Sequence, residues 1–171
     1  VPEDLTDVVA IASGSSSFSL ALTSSGEVVA WGLNNYGQTD VPENLTDVVA
    51  IAGGIYHSLA LTSSGEVVAW GFNSYGQIDV PEDLTDVVAV AAGAYHSLAL
   101  TSSGEVVTWG YDNGEYYVPD DLIDVVLISA GVHYSLALTS SGEVVAWGLN
   151  VYGQTDVPED LTDVVAIASG T

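Results

Sequence analysis

A chain of 171 residues carries 23 aspartates and glutamates, no lysine and no arginine, for a formal net charge of −23. It lacks the cations that neutralise phosphates in nucleic acids, clamp nucleotide substrates or hold a protein to anionic lipid. A charged partner must itself be cationic: a metal ion, a basic protein or an amine. Cysteine is absent too, which removes disulfides, thiolate metal sites and cysteine nucleophiles, and no apolar run nears the ~20 residues of a spanning helix.

Taken in chain order, the sequence repeats itself. Val-Pro-acid-Asx-Leu begins at Val1, Val41, Val80, Val118 and Val157, at spacings of 40, 39, 38 and 39 residues. The copies run 1–40, 41–79, 80–117 and 118–156, with a partial fifth over 157–171, and are read together as a single repeat domain. Within the second copy, Pro42 and the acids after it suit an exposed connection, where a missing N–H costs nothing. Val48 to Ala52 is a short β-branched run, and Ser58 to Thr62 alternates with Leu59 and Leu61 on one face. Ser63-Ser64-Gly65-Glu66 is a hairpin connection with glycine where positive φ is wanted, and Val67 to Trp70 returns as the partner strand. No stretch has a helical apolar period, so each copy is a small antiparallel sheet of three or four strands.

Such a sheet cannot bury both faces alone, so copies must stack. Trp31, Trp70, Trp109 and Trp147 recur once per copy, each followed by Gly32, Gly71, Gly110 or Gly148. Regular spacing is what packing requires, so each tryptophan is read as filler between sheets and each glycine as room for close backbone approach.

The string Tyr-His-Ser-Leu-Ala-Leu-Thr, followed by Gly-x-Val-x-x-Trp-Gly-x-Asn-x-Tyr-Gly-Gln, resembles the repeat of the regulator of chromosome condensation family across all four full copies. The short copies linked by Val-Pro are most similar to that family's secreted bacterial branch, which includes propeller-type inhibitors of β-lactamases. The resemblance implies an all-β fold of β-propeller blades, radially arranged, with about seven in well-known members. The chromatin role of nuclear members does not transfer to a chain without a basic residue. Copy three departs from the pattern, with Tyr111-Asp112-Asn113-Gly114-Glu115-Tyr116-Tyr117 in place of the Tyr-Gly-Gln loop. Copy one has Ser15-Ser16-Ser17-Phe18 where Ile-Tyr-His stands in the second.

The partial copy duplicates the start of copy one rather than completing it. Three arrangements follow: part of a longer ring, an open array whose spare strand pairs with another chain, or four closed blades with the last segment outside. His57 and His96 share a repeat position and His133 sits one place earlier. Because symmetry puts them on different blades, they are read as structural, each bonding its own blade's backbone. The acids form rows, Asp7, Asp86, Asp124 and Asp163 on one edge and Glu27, Glu66, Glu105 and Glu143 on another. The plain reading of these rows is a solvated rim; the sharper is weak binding of a divalent cation such as calcium. No other cofactor is expected. Asn44-Leu45-Thr46 is the one N-glycosylation sequon. Tyr36, Tyr75 and Tyr152, in the Asn-x-Tyr-Gly-Gln loops, either pack on the next blade or form an aromatic binding face.

No catalytic set emerges and an enzyme is not expected. The first function read is an extracellular structural or assembly protein, a filament subunit that self-associates. The alternative is a secreted recognition or inhibitor propeller that binds another protein through its loops.

Overall fold

The computed structural model describes residues 1–111 and 117–170. Among these residues, twelve strands form four three-stranded antiparallel sheets, one per full repeat. Blade 1 holds β1 (Val8–Gly14), β2 (Phe18–Thr23) and β3 (Val28–Gly32); blade 2 holds β4 (Val48–Gly53), β5 (His57–Thr62) and β6 (Val67–Gly71). Blade 3 holds β7 (Val87–Ala92), β8 (His96–Thr101) and β9 (Val106–Gly110); blade 4 holds β10 (Val125–Ala130), β11 (Tyr134–Thr139) and β12 (Val144–Gly148). The first strands lie side by side from blade to blade while the third strands spread apart.

The alternating run Ser-Leu-Ala-Leu-Thr makes each middle strand, and in blades 2 and 3 it is buried on both faces because a blade packs on either side. The leucine face of one blade meets the small-residue face of the next. Leu20, Leu22 and Val28 of blade 1 pack with Val48, Ala60 and Trp70 of blade 2. Leu61 and Val67 meet Val87 and Ala99, and Leu98, Leu100 and Val106 meet Val125, Ala137 and Trp147. Leu20, Leu59 and Leu98 are wholly enclosed, each contributing roughly 2 kcal/mol by burial.

Local chemistry fixes the connections. In each hairpin a threonine hydroxyl accepts the amide of the glutamate four residues on, as Thr62 does from Glu66 at 3.2 Å, and Gly65 takes φ 84°. The aspartate before each first strand takes φ of 55–56°, a left-handed conformation that aspartate tolerates. Its carbonyl accepts the first hairpin amide, Ser63 N to Asp47 O at 2.8 Å. The acids read as a solvated row therefore include a backbone device: Asp7, Asp86 and Asp124, with Asp47 at the same repeat place, bend the chain into a first strand, and Asp163 has the same φ.

The sheets are not closed into a ring, which removes the arrangement of four closed blades. On blade 1, Val8 and Ile11 are 39% and 80% exposed, whereas Val48, at the place of Val8, is 4% exposed beneath the preceding blade. Beyond blade 4, residues 157–170 follow the path of a first strand without strand pairing. Asp163 has φ 56° like its counterparts, Ser169 Oγ lies 2.8 Å from Ser129 Oγ, and Gly170 N donates to the Tyr134 hydroxyl at 2.9 Å.

Candidate functional site

Each joint between blades has a polar centre. Gln38, at the end of the loop leaving blade 1, is wholly buried, and its backbone carbonyl accepts from Trp70 Nε1 at 3.0 Å and Ser58 Oγ at 2.8 Å in blade 2. Gln77 repeats the device with Trp109 Nε1 at 3.0 Å and Ser97 Oγ at 2.9 Å. Trp70 and Trp109 thus tie blades 2 and 3 to the loop before each, as well as filling space. Trp31, on the open front of blade 1, is half-buried. In copy three, residues 112–116 replace the glutamine loop and lie outside the described residues. Trp147 is buried, and its Nε1 has no hydrogen-bond partner among the described residues.

The histidines correct one expectation. They do not bond their own blade's backbone through Nε2: His57 Nε2 lies 3.0 Å from Ser97 Oγ of the next blade, and His96 Nε2 lies 3.0 Å from Ser135 Oγ. Ser97 gives its single hydroxyl proton to the Gln77 carbonyl, so His57 donates from Nε2 and is the neutral tautomer with bare Nδ1. Burial pushes His57 down to about 4 and His96 down to about 3, with charge on His57 and His133 further opposing protonation of His96. Both rings are sealed from solvent within the joints. Phe18 and Tyr134 take the equivalent place in blades 1 and 4, and a glycine (Gly14, Gly54, Gly93 or Gly131) lies against the ring in every blade.

The joints hold up a face built by the loops at one end of the blades. The antiparallel registers put the start of each middle strand beside the end of each third strand. The loops between β1 and β2 and those after β3 therefore share an end, and the hairpins lie at the other. In each Asn-x-Tyr-Gly-Gln loop the asparagine holds the aspartate six residues on, Asn34 Nδ2 to Asp40 Oδ1 at 2.6 Å and Asn73 Nδ2 to Asp79 Oδ1 at 2.7 Å. The glutamine side chain accepts the tyrosine amide, Tyr36 N to Gln38 Oε1 at 2.9 Å and Tyr75 N to Gln77 Oε1 at 3.0 Å.

The tyrosines so placed form a continuous aromatic belt. Tyr36 meets Tyr56 at 4.9 Å and Phe72 at 4.8 Å across the joint; Tyr75 meets Tyr95 at 5.2 Å and Tyr111 at 5.0 Å across the next. Phe72 and Tyr75 join the two groups at 6.0 Å, and Tyr95 extends the row to His133 at 5.8 Å. The ring separations match favourable edge-on pairing. Tyr36 and Tyr75 are 47% and 45% exposed, so each both packs on the next blade and faces solvent. Tyr152 is 90% exposed, although its loop is held in the same way, with Asn150 on Asp156 at 2.6 Å and Gln154 on Tyr152 N at 2.8 Å. What differs is its surroundings: among the described residues, the ring of Tyr152 has no counterpart of Tyr56 and Phe72 to rest on. The sequence also gave no signal joining Tyr56, Phe72, Tyr95 and Tyr111 to the belt, because they lie outside the Tyr-Gly-Gln motif.

At the hairpin end each blade has a cleft of about 290 to 450 Å³ between the Val-Pro connection and the hairpin. That of blade 2 is lined by Asn44, Asp47, Ser63 and Glu66 among others, and Asn44 is exposed at its wall. Among the described residues no three histidine or carboxylate side chains gather to hold a metal ion, and no helix is long and apolar enough to cross a membrane.

Repeated three-stranded sheets stacked by a tryptophan-bearing third strand define a β-propeller repeat protein. The model of the regulator of chromosome condensation (RCC1) repeat matches residues 8–38, 48–77, 87–116 and 125–154, and the chain belongs to that family. No curated protein matches it in sequence. Among solved structures it is similar to yeast RCC1 (Prp20) bound to Kap60, with 25% identity and a TM-score of 0.75 over 96% of this chain and 49% of that one. Human WBSCR16 gives 24% and 0.76 over 99% of this chain and 57% of its own. The ectodomain of the Arabidopsis thaliana receptor kinase ACR4 gives 25% and 0.70 over 83% and 51%. The chain spans about half the length of each of these solved chains.

Proposed function

We propose that the chain is a non-catalytic, extracellular protein-recognition scaffold whose working surface is the aromatic loop face. The observation that carries this reading is the belt itself: half-exposed Tyr36 and Tyr75 held rigidly between neighbouring rings. Tyrosine offers large contact area at low entropic cost, and rings already fixed lose little on binding. Kap60 bound to yeast RCC1 and the ectodomain setting of the ACR4 structure support a protein partner and an external location respectively. The resemblance to the secreted short-repeat branch supports the same location.

Selection of a random displayed peptide library on the immobilised chain tests the surface. Selected peptides are expected to bind the Tyr36→Leu/Tyr75→Leu chain about tenfold more weakly, the loss of two anchoring rings. Binders indifferent to that double change would overturn the reading.

A second reading, self-association into a head-to-tail filament, is favoured by the near-identity of the repeats, since any copy can pair with any other in a contact that does not close. Electron microscopy of dilute protein decides it: fibres with a blade-stack repeat support assembly, and discrete particles exclude it.

A further inference from the structure

We infer that the loop face takes an arginine-rich protein segment, its guanidinium groups stacked on Tyr36 and Tyr75 and forked onto Asp40 and Asp79. This rests on the loop face being the protein-binding surface and adds the chemistry of what binds there.

Charge narrows the partner first. At −23 with no lysine or arginine, the chain repels acidic partners and draws basic ones from every direction. Charge alone, however, would hold lysine and arginine equally and would favour no particular face.

The rings supply the face. An aromatic ring attracts a cation over its π surface, and in most proteins nearby lysines or arginines compete for such positions. Here the chain has none to offer. Tyr36 and Tyr75 are about half exposed, and each is wedged by two neighbours, which fixes its orientation before a ligand arrives.

The loops then distinguish arginine from lysine. Each tyrosine is followed four residues later by an exposed carboxylate, Asp40 or Asp79, whose Oδ1 is held within the loop by Asn34 or Asn73. A planar guanidinium can lie on a ring and donate two parallel bonds to a carboxylate; an ammonium is a compact, strongly hydrated point charge that does neither well. The tyrosine and aspartate unit recurs on adjacent blades, so a segment with two arginines engages both, the second at high effective concentration.

Fluorescence anisotropy with labelled oligo-arginine and oligo-lysine peptides of equal length, at about 150 mM salt to screen exposed charge, tests the inference. Oligo-arginine is expected to bind about tenfold more tightly than oligo-lysine, and Tyr36→Leu/Tyr75→Leu to erase that preference. Tyr36→Phe/Tyr75→Phe keeps the π surfaces and is expected to bind like the parent chain, which guards against loss through misfolding. Glu66→Gln/Glu105→Gln removes two charges at the hairpin end and is expected to change the affinity less than about twofold. Equal binding of the two peptides, no binding of oligo-arginine, or loss in the phenylalanine pair would overturn the inference. Library peptides that depend on Tyr36 and Tyr75 yet lack arginine would overturn it while leaving the proposed function standing.

Discussion

Replacing Gly54 with alanine is expected to cost about 3 kcal/mol or more and to lower the melting temperature by about 10 °C. Gly54 lies where the ring of His57 crosses the joint to blade 3. A methyl group there would overlap His57 Cε1 and Nδ1 and stand only 2.6 Å from the Gly93 carbonyl oxygen. The ring is buried and tied to Ser97, and the carbonyl is backbone, so neither can yield cheaply. The clash therefore falls on the packing of two blades rather than on one side chain. Gly93→Ala should behave alike, since its methyl would meet His96 and stand 2.7 Å from the Gly131 carbonyl. Thermal melts of both variants check this, and an unchanged melting curve for either would refute the joint as described.

The second large effect is on acid stability. In the unfolded chain the histidines protonate near 6.5, but in the fold burial holds His57 near 4 and His96 near 3. The folded state therefore binds fewer protons below pH 6.5. Their contribution is fully present above that pH, falls as pH drops, and levels off once the folded values are passed. For His57 alone the loss is roughly 3 kcal/mol, a large share of the 5–15 kcal/mol typical of a domain. Falling pH also alters the charge repulsion of the acidic chain, so the histidine part is best isolated as a difference. Denaturant midpoints between pH 7.5 and 3 are expected to fall more steeply for the parent chain than for His57→Phe/His96→Phe. Phenylalanine is the residue that blade 1 already carries at this place, as Phe18. Parallel curves would show that the histidines take no part.

Much of this fold was legible because each repeat states its own local structure. Ser-Leu-Ala-Leu-Thr can alternate only as a strand, and Ser-Ser-Gly-Glu supplies the positive φ that its hairpin adopts at Gly65. Stacking followed from the period, since a three-stranded sheet with two apolar faces needs a neighbour on each. What was not legible crosses between repeats. Nothing local says that the proton on Ser97 goes to Gln77, or that His57 therefore donates to Ser97 rather than to its own backbone. The same holds for Gln38, a polar residue in an exposed-looking loop whose carbonyl is the acceptor for Trp70.

The site divides in the same way. Tyr36, Tyr75 and Tyr152 carry one motif and one loop geometry, yet two are half covered and the third stands free. A ring's surroundings here belong to the following blade, so the motif could nominate the tyrosines but not join them into a belt. The aspartates with left-handed φ hid for a different reason. In an acid-rich chain without cations, a carboxylate chosen for its backbone conformation looks like any other acid of the rim.

The measurement that bears most directly on the account is a hydrogen-exchange footprint of the chain with a peptide selected on it. Protection confined to the loop segments 33–40, 54–56, 72–79 and 93–95 is the result expected of an aromatic recognition face. Protection of the hairpins at 24–27, 63–66 and 102–105, with the loops unchanged, would contradict it and move the working surface to the opposite end of the blades.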